Sequence, residues 1–178
     1  MADQNTAYQY FHPGCMETLP FIGKLKVTDS MFDDFRNKLL NSLVENTAPG
    51  KLDVHTSDLI MKSILITGPR ILKRGGIKLL HKTGKDNIIR YNAINACILL
   101  FSETQMLYFN CCYDLLTEKA SMVNTEEFFY KDIVSTSTDT IETTYEDEDG
   151  KIQKLEVADC FRIRTSKRSF KISFSVPP

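Results

Sequence analysis

Cys160-Phe-Arg-Ile-Arg-Thr165 and Phe170-Lys-Ile-Ser-Phe-Ser-Val176 are the stretches on which the fold reading turns. Side chains alternate across an extended chain, so Phe170, Ile172, Phe174 and Val176 fall on one side of a strand and Lys171, Ser173 and Ser175 on the other. The apolar side has to be covered. Working outward, Asn87 to Ser102 reads as one long strand, with Tyr91, Ala93, Cys97, Leu99 and Phe101 on one side and Ile94, Ile98 and Leu100 on the other. Apolar residues on both sides predict double cover, by sheet on one face and N-terminal helices on the other. Gln105 to Tyr113 gives a second strand, Asp114 to Asn124 a polar connection, and Glu126 to Val134 a third strand leading directly into Ser135 to Thr144. Asp149-Gly150 is the dipeptide favoured in tight hairpin turns. Ile152 to Val157, Cys160 to Thr165 and Phe170 to Val176 bring the expected total to seven antiparallel strands, a mainly β (α+β) sandwich or open barrel spanning 87–178.

Residues 1–86 read as an N-terminal arm and helical extension that packs on this β-domain. Residues 1 to about 28 carry few periodic signals, and Pro13-Gly14 and Pro20 mark them as an irregular arm in which Leu19, Phe21, Ile22, Leu25 and Val27 dock onto the body. Asp29-Ser30 followed by Asp33 is a helix start, and Phe32, Phe35, Leu39 and Leu43 recur at helical spacing, so an amphipathic helix is expected to end near Asn46, before Pro49-Gly50. Thr56-Ser57-Asp58 is a second capped start. The run Leu59 to Ile66 after it fits a short helix and a buried strand equally, and Gly68-Pro69 ends it.

With 22 Lys+Arg against 23 Asp+Glu, the chain has no global field that would select nucleic acid or an anionic membrane. Five cysteines, Cys15, Cys97, Cys111, Cys112 and Cys160, are an odd number, and three of them lie in apolar strand patterns, which points to a reducing compartment. The first residues lack a basic and an apolar signal-peptide region, and the apolar run Ala96 to Phe101 is too short to span a bilayer. A cytoplasmic protein is expected.

Three pieces carry a family resemblance: Ile98-Leu-Leu-Phe-Ser-Glu-Thr-Gln-Met-Leu-Tyr108, Glu126-Glu-Phe-Phe-Tyr-Lys-Asp-Ile-Val134 and Phe161-Arg-Ile-Arg-Thr165. Together they resemble the strand sequences of bacterial pleckstrin-homology-like domains. The resemblance implies a seven-stranded sandwich of two near-orthogonal sheets, on a scaffold that hosts lipid-headgroup binding, peptide binding and scaffolding alike. The family pattern closes with a helix that plugs one end of the barrel, whereas this sequence ends at Pro177-Pro178. Either an N-terminal helix takes that role or the sequence is a piece of a longer chain. Phosphoinositide-binding members carry a basic loop between their first two strands, and the corresponding loop here, Ser102 to Gln105, has no cation.

The local charge bias lies elsewhere. Lys62, Arg70, Lys73, Arg74, Lys78, Lys82, Lys85 and Arg90 are opposed only by Asp86, and Arg70, Lys73, Arg74 and Lys78 form a candidate anion or phospholipid-headgroup site. A solvated connector balanced by acids elsewhere competes with it, with the acidic run Glu146 to Asp149 as one source of those acids. Arg162, Arg164 and Lys171 share the outward sides of the last two strands, where pairing with Glu156 and Asp159 is expected in preference to nucleic-acid contact. His12, His55 and His81 are far apart, His12-Pro-Gly-Cys15 lacks the second ligand pair a structural zinc needs, and Cys111 and Cys112 alternate across a strand so that at most one faces water. No phosphate-cradling glycine motif is present. These readings converge on a non-enzymatic module of the bacterial cytoplasm that binds another protein, without cofactor, metal or nucleic acid. Headgroup binding through residues 62–90 is the alternative, and a small hydrolase with no identifiable site is the third reading.

Overall fold

In the computed structural model, which describes residues 4–12, 27–69, 79–146, 152–166 and 169–174, the long apolar strand occupies a middle layer. Helices α1 (Gln4–Phe11) and α2 (Asp29–Ser42) build the layer on one side; α1 lies in the stretch expected to be irregular, and the burial of Ala7 and Tyr10, the latter stacked on Phe32 of α2, holds it there. Thr28 caps α2, its hydroxyl accepting from the Met31 amide at 3.3 Å, which places Asp29 in the first turn instead of at the cap. The helix does not stop before Pro49-Gly50. A π-helical turn, Leu43–Thr47, carries it into α3 (Ala48–Leu52), with Pro49 in the first turn of α3. Pro49 has no amide to lose there, and the wider turn removes the carbonyl its ring would otherwise strike. Asp53, in the left-handed region at φ 51°, ends the helix, and the Val54 amide closes it on the Pro49 carbonyl at 3.1 Å. Thr56–Asp58 forms a single 3-10 turn.

Nine strands lie among the described residues: β1 (Ile64–Pro69), β2 (His81–Thr83), β3 (Ile89–Tyr91), β4 (Ala93–Phe101), β5 (Gln105–Asp114), β6 (Lys119–Phe129), β7 (Ile133–Glu146), β8 (Ile152–Thr165) and β9 (Ser169–Phe174). All pairings are antiparallel, in a four-stranded sheet of order β1-β4-β5-β6, a β2-β3 hairpin and a three-stranded sheet of order β7-β8-β9. The molecule is therefore mainly β with an N-terminal helical section.

Several strand limits differ from expectation, each for a local reason. Asn87 to Ser102 is broken at the buried Asn92, whose side-chain carbonyl accepts from the Leu80 amide at 2.6 Å while its own carbonyl accepts from Leu115 at 2.7 Å. Glu126 to Val134 is broken by a 3-10 turn, Tyr130–Asp132, that sends the chain from one sheet to the other, with the Tyr130 amide held on the Thr104 carbonyl at 3.0 Å. Ile152 to Thr165 is one strand where two were expected, and β6 starts at Lys119, inside the expected polar connection. The run Leu59 to Ile66 resolves as the approach to a strand, and Gly68-Pro69 belongs to that strand instead of ending it.

Alternation in the middle sheet divides the core. Ile94, Ala96, Ile98, Leu100, Leu107, Phe109, Cys111 and Tyr113 pack on the helices through Tyr10, Phe32, Phe35, Leu43 and Leu52. Cys97, Leu99, Met106, Tyr108 and Phe128 face the other way and meet Ile163 and Ile172 of the three-stranded sheet, with Phe170 edge-on to Tyr108 at 4.4 Å. Phe170 and Ile172 thus lie on the covered side of β9, as their alternation requires. The Phe174 side chain and Val176 lie outside the described residues, as do Leu19, Phe21, Ile22 and Leu25 of the arm, while Val27 is buried among the helices.

Candidate functional site

The basic stretch separates into committed and uncommitted cations. Arg70, Lys73, Arg74 and Lys78 lie outside the described residues, between β1 and β2 in the chain. Because β1 precedes β4 in the sheet, the connection between the first two strands of that sheet is 70–92, and Ser102 to Gln105 joins the second strand to the third. The basic residues, and not the cation-free turn, therefore stand in the first connection.

Arg90 is used up by the fold. It is 6% exposed. Its guanidinium spans two carboxylates, Nε and Nη2 donating to Asp33 at 2.9 and 2.6 Å, and Nη1 and Nη2 to Asp86 at 2.9 and 2.7 Å. Bidentate, charge-assisted geometry of this kind holds position as well as charge. Asp33 stands on α2 and Asp86 in the β2–β3 turn, so the arginine fastens the hairpin to the helical layer. Around it, the Tyr10 hydroxyl donates to Asp29 at 2.7 Å and the Lys85 amide to the other Asp29 oxygen at 2.9 Å. Lys82 lies 3.8 Å from the centre of the Tyr10 ring and donates to the Tyr10 carbonyl at 3.0 Å. Hydrogen bonds from Arg90 hold the Asp86 carboxyl below the usual carboxylate range, and those from the Lys85 amide and Tyr10 do the same for Asp29. Burial, with Asp29 beside it, pushes Tyr10 up to about 12. The cluster fastens the β2–β3 hairpin to the helical layer, with Arg90 committed to two carboxylates.

The other chemistry-bearing groups do not converge. Among the described residues no group of three or more His, Cys, Asp or Glu is placed to hold a metal ion. His12 packs on Tyr8 and His55 lies 3.5 Å from the Ser57 hydroxyl. Cys111 and Cys112 are both buried, on opposite faces of a strand that is covered twice, and burial pushes the Cys97 and Cys111 thiols up to about 12. A shallow, open depression of about 670 Å³ between Lys51–Asp53 and Asn124–Glu127 is lined by polar side chains of both signs. No helix among the described residues is long and apolar enough to cross a membrane.

The feature left over is a sheet edge. β7 has β8 as its one neighbour among the described residues, and its register runs without interruption from Ser135 to Ile141, opposite Arg164 to Ala158, between irregularities at each end. Over Ser135-Thr-Ser-Thr-Asp-Thr-Ile141 there is no proline, glycine or lysine, the residues that usually blunt an edge. The β6 edge also carries a bulge, where Met122 and Val123 stand opposite Cys111 with Met122 in the left-handed region at φ 52°, and its unbroken run, Asn124–Phe129, contains Glu126 and Glu127. On the face of the three-stranded sheet turned away from Ile163 and Ile172, Ser135, Arg164 and Ser169 lie in one row, Ser137, Arg162 and Lys171 in the next, and Asp139 with the buried Cys160 in the third. Arg162 reaches across to Asp139 of β7 at 2.7 Å. The side chains of Glu156 and Asp159, its expected partners, lie outside the described residues.

No family model, curated protein or solved structure matches the chain. The edge and its flanking cations are thus weighed on their own chemistry. The sequence places Arg162, Arg164 and Lys171 on a shared outward side, where pairing with acids of the chain is expected, and does not mark Ser135–Ile141 as an edge.

Proposed function

We propose that the protein is a non-enzymatic interaction module that takes up an extended segment of another protein by strand addition along β7, on a pleckstrin-homology-like sandwich made of its four- and three-stranded sheets. The observation that carries this is the run of unbroken register along the β7 edge, Ser135–Ile141, which contains no proline or lysine. Its outward amides and carbonyls, which meet no further strand among the described residues, are a template for one, and main-chain hydrogen bonds supply the affinity in such complexes. On β6 the unbroken run, Asn124–Phe129, lies between the bulge and the turn at Tyr130 and carries two acids, Glu126 and Glu127, so it is the more heavily charged of the two edges.

Amides alternate in direction along an antiparallel strand, so of Thr136 and Ser137 one donates toward β8 and the other toward the open edge. Proline at the outward-facing position removes an edge donor and leaves the native ladder intact, and proline at the other breaks the fold. Extended peptides selected from a display library are expected to protect the β7 amides from hydrogen exchange and to bind about tenfold more weakly to the outward-facing proline variant. Selected peptides that leave β7 unprotected, or bind that variant as tightly, would refute strand addition.

A second reading is favoured by one observation, the place of Arg70, Lys73, Arg74 and Lys78 in the first inter-strand connection. On that reading they bind a phosphate or headgroup anion. Binding to phosphoinositide vesicles that weakens with salt and is lost in the double variant Lys73→Glu/Arg74→Glu is the expected result, and absence of binding at low ionic strength removes the reading.

A further inference from the structure

We infer that the segment added to β7 is acidic, with carboxylates at two alternate positions, those facing Ser135 and Ser137. This rests on the strand-addition reading. Side chains of an added strand that face Ser135 and Ser137 lie on the outer face of the sheet, in line with Arg164 and with Arg162 and Lys171. Of the side chains described on this face, Arg162, Arg164 and Lys171 stand against one acid, Asp139, which is already paired with Arg162. Arg164 and Lys171 are exposed and meet no described carboxylate.

The added strand stands about 9–10 Å from β8, two strand spacings away. Arg162 already crosses one spacing to Asp139, and the intervening Ser135 and Ser137 are too small to block an arginine meeting a glutamate from the far side. A basic segment would be repelled by this row. An apolar one would lay its outer side chains against hydroxyls and charges. Asp139 adds a restriction: an acid facing it would be repelled, so the expected pattern is two acids separated by one residue, with a neutral or basic residue at the next alternate position.

The test is selection from a random peptide display library on the full chain, read with the Arg164→Glu variant and a salt series. The expected result is enrichment of acid-x-acid, affinity that falls as salt rises, a loss of roughly fivefold in Arg164→Glu for a wild-type-selected peptide, and a switch to Lys or Arg at the position facing Ser135 when selection is repeated on that variant. Arg164 is on the surface, and the amide spectrum of the variant establishes that it folds; Arg164→Gln, with a smaller loss and no switch, separates charge from shape. Peptides that protect the β7 amides but show no acidic preference and bind Arg164→Glu unchanged would overturn the inference while leaving strand addition standing. If no peptide engages β7, or if single-stranded DNA or phosphatidylserine vesicles bind the Arg164 face in place of peptides, both fall.

Discussion

At the scale of single residues, Arg90 shows how a cation within a basic run is withdrawn from recognition. Gly84 makes that withdrawal possible: a Cβ there would run into Nη1 of Arg90 and carboxylate oxygens of Asp86 and Asp29. Those atoms end flexible side chains, so they can move, but only by giving up the hydrogen bonds that fasten the hairpin. Gly84→Ala is expected to destabilise by about 1–3 kcal/mol, read from urea unfolding. Arg90→Met is expected to speed hydrogen exchange at the β2 and β3 amides while β4 and β5 stay protected. The cluster also sets a pH dependence. Asp86 and Asp29 are held below their ordinary value of 3.8, so their contribution is full above that value and is lost as pH falls through the lower folded value. Asp86→Asn is therefore expected to start less stable at neutral pH and to lose less on acidification below 3.8. Tyr10, raised to about 12, works in the opposite direction: its contribution is full below its ordinary 10.0 and disappears as pH climbs toward about 12. Thermal melts of Tyr10→Phe should show a flatter alkaline limb than the wild type.

At the scale of elements, the sequence made the kind of structure legible more readily than its limits. Period-two alternation placed β4, β5, β8 and β9, and helical spacing placed α2, because burial on one face leaves a periodic trace. What stops an element leaves no such trace when the stop is tertiary. Asn92 ends a strand by bonding to Leu80, and Tyr130 turns the chain by bonding to Thr104. Pro49, a local stop signal, is overridden by the π turn before it. Met122 is a further case: nothing in Ser121-Met-Val-Asn124 announces a bulge, yet Met122 takes a conformation that costs a side-chain-bearing residue about 1–2 kcal/mol. Met122→Gly should leave stability unchanged or raise it, and Met122→Val, β-branched, should lower it by about 1 kcal/mol; denaturant midpoints with constant slopes would check both.

At the scale of the whole molecule, the double cover of the middle strand was readable because Ile98 and Leu100 alternate with Cys97 and Leu99 and all are apolar. That β1 joins this sheet from upstream of residue 87 was not, since six residues ending in Gly-Pro carry too little pattern to separate strand from helix. The candidate edge was hidden for a related reason: a strand edge is a property of what is missing beside it, which only topology reveals. Phe109, fully buried against the helices, is expected to cost about 3–5 kcal/mol when cut to Ala. The placement of neighbouring residues has a further outcome. Ile98 looks into one core and Leu99 into the other, so a single backbone wall serves two rooms. Neither room can be emptied while the wall stays upright, and denaturation followed by tyrosine fluorescence and by backbone circular dichroism should give superimposable curves, one all-or-none collapse whichever side is attacked first.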